Sequence, residues 1–92
     1  MTRISRPVTI VNVKGLHARA SAKFVTFVSR LPEGIKVEVE KDGQSVTGTS
    51  IMGLMMLGAA KGSEIIIHVE GAQAELAIEK LVGLVVDGFG ED

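Results

Sequence analysis

The chain has no cysteine, no tryptophan and no tyrosine, and its only aromatic residues are three phenylalanines. Without cysteine there is no disulfide, no thiolate metal site and no thiol chemistry, which suits a reducing compartment. With so few aromatics, a 92-residue chain that is 46% hydrophobic must build its core from Val, Ile, Leu, Ala and Met. An excess of one charge is missing too. The formal net charge is -1, so no global basic field recommends nucleic acid as a partner. No apolar run approaches the roughly 18 residues of a membrane span. Nor is Met1-Thr2-Arg3-Ile4-Ser5-Arg6-Pro7 followed by the long apolar helix and cleavage site of a secretory leader. These absences lead us to expect one soluble, cytoplasmic domain over residues 1–92.

What is present reads as alternating strands and helices. Residues 8–13, Val-Thr-Ile-Val-Asn-Val, are rich in β-branched side chains and predict a first strand, broken at Lys14-Gly15. From His17 onward, Ala20, Phe24, Phe27, Val28 and Leu31 recur at helical spacing until Pro32 stops the helix. Residues 35–40 alternate cleanly, Asp42-Gly43 makes a hairpin turn, and a short partner strand follows over residues 44–48. Residues 50–58 predict a short helix, N-capped by Thr49 or Ser50 and closed by Gly58. Two turns cannot aim Ile51, Met52, Leu54, Met55, Met56 and Leu57 at one core. Leu54 and Leu57 go in. The rest either forms an exposed, adaptable docking patch or belongs to an all-buried core segment.

Residues 63–70 predict another strand, with Ile65, Ile67 and Val69 on one face and His68 on the other, facing solvent rather than serving as ligand or catalyst. Residues 72–86 predict a last helix anchored by Leu76, Leu81, Leu84 and Val85, and Gly88-Phe89-Gly90-Glu91-Asp92 a short acidic tail. The order β-α-β-β-α-β-α, with helices on one side of an antiparallel sheet, is a two-layer α+β sandwich.

One stretch carries chemistry: Gly15-Leu16-His17-Ala18-Arg19-Ala20-Ser21. A histidine that opens a helix stands among unpaired first-turn N–H groups at the positive end of the helix dipole, a ready anion site. That dipole disfavours imidazolium and so favours a neutral, nucleophilic ring. Arg19 adds planar N–H donors suited to a phosphoryl group. The plain alternative is a surface histidine beside a solvated arginine.

Two segments together decide between these readings. Gly15-Leu16-His17-Ala18-Arg19 resembles the phosphorylation loop of HPr, the phosphocarrier of the bacterial phosphoenolpyruvate-dependent phosphotransferase system. Ser50-Ile51-Met52-Gly53-Leu54-Met55-Met56-Leu57-Gly58 resembles that family's regulatory-serine helix. The resemblance covers nearly the whole chain. It implies an HPr-like open-faced sandwich with strand order 1-4-2-3 and three helices on one face. It implies that His17 takes phosphate on Nδ1 from phosphorylated enzyme I and donates it to an enzyme IIA domain, while Arg19 helps to hold the group. Ser50 then matches a serine phosphorylated by an HPr kinase/phosphorylase in some lineages. Ala18, Ala20, Ile51, Met52 and Met55 match the docking surface. Met55-Met56-Leu57, Ala60-Lys61-Gly62 and the Gly88-Phe89…Glu91-Asp92 end resemble the nitrogen-regulatory branch more than the sugar-uptake carriers.

Two positions depart from the family pattern. Ala20 stands where many members have Pro, and Lys14 where many have Asn. Ala keeps the helix, although Pro would pre-set its φ. Lys14 adds a second cation beside the loop.

The rest of the sequence limits what else the chain can be. We expect no metal, no cofactor, no nucleic-acid partner and a monomer. No second acid or base is expected near His17, so the chain reads as a carrier rather than an independent enzyme. The competing reading is a regulatory paralogue that works through the Ser50 region without histidine phosphotransfer. The presence of His17 with Arg19 argues against it.

Overall fold

Alternation builds the sheet. In the computed structural model, which describes residues 2–91, β1 spans Arg3–Thr9, β2 Lys36–Lys41, β3 Gln44–Thr47 and β4 Glu64–Glu70. All pairs are antiparallel, in the order β1-β4-β2-β3. In β4 the period of two sends Ile65, Ile67 and Val69 to one face, each no more than 1% exposed. Val37 and Val39 of β2 sit opposite Val69 and Ile67 and are buried with them. Asp42 and Gly43 both take positive φ, as a tight two-residue hairpin requires. Helices α1 (Ala18–Ser29), α2 (Ile51–Met56) and α3 (Ala74–Val86) complete the core over this face. None of the described helices is long and apolar enough to cross a membrane.

The first strand is not where the β-branched run predicts it. It ends at Thr9, and residues 11–13 leave the sheet with Val11 and Val13 exposed. Arg3–Thr9 alternates exposed and covered positions, as a half-buried edge strand does. An edge also tolerates Pro7, whose missing N–H would interrupt an inner ladder. Ile10 stays tethered just beyond the strand. Its N–H donates to Ser63 O, and its carbonyl accepts from Gly62.

The last helix needs a similar correction. It begins at Ala74, and its buried stripe is Ala74, Ala77, Ile78, Leu81 and Val85. Leu76, expected as an anchor, is exposed, because two residues from Ala74 is the far side of a 3.6-residue turn. The expected acidic tail is also not a free tail. After α3 the chain turns through a 3-10 segment, Gly88–Gly90, whose Phe89 ring is 1% exposed. Asp92 lies outside the described residues.

His68 lies on the open face, as its register predicts, yet it is not simply solvated. Its Nδ1 shares a 2.6 Å hydrogen bond with Ser5 Oγ, and its Nε2 one of 2.8 Å with Glu40 Oε1.

Candidate functional site

The approach to His17 is a turn that only glycine can make. Gly15 has φ +63°, and a Cβ there would lie 2.3 Å from Ala59 O. That same oxygen accepts the Leu16 N–H at 2.9 Å. The buried Leu16 side chain and this hydrogen bond pin the loop against the segment that follows α2. His17 therefore comes out of a clamped turn.

His17 is the N-cap of α1, and its carbonyl accepts the Ser21 N–H at 2.9 Å. The N–H groups of Ala18, Arg19 and Ala20 precede that first bond, as the sequence reading requires. The imidazole does not cap them. It turns to the C-terminal segment instead, where Nε2 lies 2.6 Å from Glu91 Oε2. Nδ1 has no hydrogen-bond partner among the described residues. The expectation that no second acid or base stands near His17 is thus wrong.

Glu91 is held in place from several sides. Asn12, 5% exposed, donates from Nδ2 to Gly15 O at 2.8 Å and to Glu91 Oε1 at 3.0 Å. Lys23 Nζ donates to Phe89 O at 2.6 Å. Gly88, Phe89 and Gly90 all have positive φ, a conformation costly for the non-glycine Phe89. Burial of the Phe89 ring offsets that strain and fixes where Glu91 emerges. The hydrogen bond from His17 holds the Glu91 carboxyl below the usual carboxylate range. Burial opposes the shift, while the Asn12 hydrogen bond and the charges of His17 and Lys23 add to it.

Val13, Lys14, His17, Arg19, Lys23, Gly90 and Glu91 together line a cleft of about 350 Å³. Neither Lys14 nor Arg19 pairs with a carboxylate among the described residues. The cleft therefore combines cations without carboxylate partners, a helix start and a ring nitrogen without a hydrogen-bond partner. That set suits a phosphoryl group, held by Arg and Lys and attacked by imidazole.

Beside this loop, α2 packs against α1. Ser50 Oγ accepts the Gly53 N–H at 2.9 Å, which makes Ser50 rather than Thr49 the cap. Leu54 and Leu57 are buried, whereas Met52 and Met56 are 68% and 76% exposed, with Ile51 and Met55 partly so. Of the two readings of this helix, the exposed patch is the one the structure has. Ala18 is exposed, but Ala20 is fully buried. Its methyl lies on the core stripe of α1 with Phe24 and Val28, so a docking role for Ala20 does not hold.

Comparison with known proteins assigns the site to a family. The family model described as "PTS HPr component phosphorylation site" matches residues 4–87. The chain belongs to the HPr family. The HPr of Pseudomonas aeruginosa is 46% identical over 85 residues, covering 91% of this chain and 92% of the relative. The phosphocarrier NPr of Shewanella violacea is 32% identical over 91 residues, covering 99% and 98%. Among solved structures, an HPr from Thermoanaerobacter tengcongensis superposes with a TM-score of 0.86 at 39% identity. That match covers 100% of this chain and 99% of the other. The four-stranded sheet and its order are those of HPr structures. Like other HPr proteins, the chain is a phosphocarrier of the phosphotransferase system. The family implies interaction with enzyme I and enzyme IIA.

Asn12, Lys23 and Glu91 are the site residues that sequence reasoning missed. The one signal was an aromatic between two glycines just ahead of an acidic residue, which marks a turn with a buried plug.

Proposed function

We propose that Nδ1 of His17 accepts a phosphoryl group from phosphorylated enzyme I and passes it to an enzyme IIA domain. The observation that carries this reading is the pairing of a free Nδ1 with a cleft whose Lys14 and Arg19 have no carboxylate partner. Arg19 offers two N–H donors to the equatorial oxygens, and Lys14 a point charge. The first-turn N–H groups of α1, which His17 opens, add the positive end of a helix dipole. His17 is one quarter exposed, which leaves a donor or acceptor room to approach in line. Ile51, Met52, Met55 and Ala18 supply the apolar ground on which either partner docks. The whole chain acts as one domain in this scheme.

Incubation with enzyme I, phosphoenolpyruvate and Mg²⁺, followed by intact mass, tests the reading. One acid-labile phosphate on the wild type and none on His17→Ala is the expected result. A folded wild type that takes no phosphate from its cognate enzyme I would sink it. A chase with enzyme IIA domains of the sugar and nitrogen branches then identifies the recipient. The short segments that resemble the nitrogen branch favour one answer, and the higher identity to a relative named HPr favours the other.

Ser50 is a second modification site in this reading. Its hydroxyl already caps α2, and phosphate there would sit beside the Met-rich patch and repel an acidic partner.

A further inference from the structure

We propose that Glu91 is the positioning residue that makes Nδ1 the nucleophilic nitrogen of His17, with Asn12 setting the direction in which its carboxylate works. The inference rests on the phosphocarrier reading and adds the device that prepares the ring. A carboxylate only accepts, so at 2.6 Å from Glu91 Oε2 the ring nitrogen Nε2 must carry the proton. A neutral imidazole has one N–H, so Nδ1 keeps its lone pair. During transfer that lone pair attacks phosphorus and the Nδ1–P bond forms. The bond from phosphorus to the donor breaks, and its electron pair leaves with the donor atom. The Nε2 proton stays where it is, and the ring becomes an N-phosphorylated imidazolium. Its new positive charge faces the carboxylate of Glu91, with no proton transfer required. When the group is passed on, the same electrons return to Nδ1.

Asn12 makes this arrangement directional. Its Nδ2 donates to both Gly15 O and Glu91 Oε1. A flipped amide would set Oδ1 against two acceptors, so the orientation is fixed by its surroundings. A Gln in place of Glu91 must therefore offer its carbonyl to Asn12, which turns its NH₂ toward His17 Nε2. That NH₂ donates, Nε2 has to accept, and the ring proton moves to Nδ1. The isosteric variant is then worse than a deletion. The corresponding amide change behind the histidine of a serine-protease triad acts the same way, through the wrong tautomer.

The experiment uses the full chain labelled with ¹⁵N-histidine, as wild type, Glu91→Gln and Glu91→Ala. Two readouts are taken: ring tautomer by long-range ¹H–¹⁵N spectra at a pH where the ring is neutral, and the initial rate of phosphorylation by phospho-enzyme I. We expect the Nε2–H tautomer in wild type, the Nδ1–H tautomer in Glu91→Gln, and a mixture in Glu91→Ala. We expect the rate to fall about tenfold in Glu91→Ala and about a hundredfold or more in Glu91→Gln. Melting temperatures monitor the fold, since the Phe89 plug and the Lys23 contact remain in both variants. A tail that is merely structural would leave Glu91→Gln with the wild-type tautomer and rate, and that result would overturn the proposal. Tautomers as expected on a wild type that takes no phosphate would instead overturn the carrier reading and, with it, the transfer half of the proposal.

Discussion

The molecule has two histidines, and the contrast between them shows what makes one chemically available. His68 sits mid-strand on the open face of the sheet with both ring nitrogens engaged, Nδ1 by Ser5 and Nε2 by Glu40. Its side chain is only 11% exposed. His17 has one nitrogen held by Glu91 and the other free, at a helix start inside a cleft with two unpaired cations. Both histidines touch a carboxylate, so a carboxylate neighbour alone does not mark the functional one. The difference lies in the second nitrogen. A ring whose two nitrogens are both bonded is a cross-strand tie, while a ring held on one side only is a nucleophile with its orientation already set.

The change that should damage the His17 side most is remote from the ring. Gly15→Ala puts a methyl group into the Ala59 carbonyl at a left-handed φ. We expect it to cost more than about 3 kcal/mol in urea unfolding, and to abolish phosphate uptake in whatever protein stays folded. The open face, with Ser5, His68 and Glu40, makes no contact with that clash. Next comes Arg19→Ala, which leaves His17 and its tautomer intact but removes a planar donor pair from the cleft. Its phosphorylation rate by enzyme I should fall about tenfold or more, with the melting temperature nearly unchanged. A rate equal to wild type would mean that Lys14 and the helix start suffice to hold the phosphate.

His68→Ala is the reciprocal experiment. It removes two side-chain hydrogen bonds, and we expect a loss of about 1–2 kcal/mol with no change in phosphate uptake. The smallest effect is one of pH. Glu91 is held below its ordinary value of 4.5, chiefly by the hydrogen bond from His17. The folded protein therefore takes up this proton less readily than the unfolded chain. The stability it contributes is present above about pH 4.5 and fades as pH falls through the lowered folded value. Urea midpoints across that range should decline less steeply in Glu91→Gln than in wild type.

How much of this was legible in the sequence follows from how local each signal is. The His17 motif could be read because glycine, histidine and the opening of the helix lie within a few residues of each other. The exposed methionines could be read because two turns of helix have too few inward positions for six large apolar side chains. Glu91 could not, since it meets His17 across 74 residues of chain. Its position depends on Phe89 adopting a conformation that its own side chain disfavours. Asn12 was hidden within a β-branched run that looked more like a strand than Arg3–Thr9 did, although the ladder to β4 favours the latter. Leu76 was misplaced by half a turn of helix phase. In each case a distant partner outweighed local preference, and at the site that partner is the end of the chain.

The most direct test of the central claim is the ³¹P–¹⁵N coupling in protein labelled with ¹⁵N-histidine and phosphorylated by enzyme I and phosphoenolpyruvate. A single phosphate coupled to Nδ1 of His17, with Nε2 still protonated and His68 unmodified, is the expected result. Phosphate on Nε2 of His17, or on His68, would contradict it.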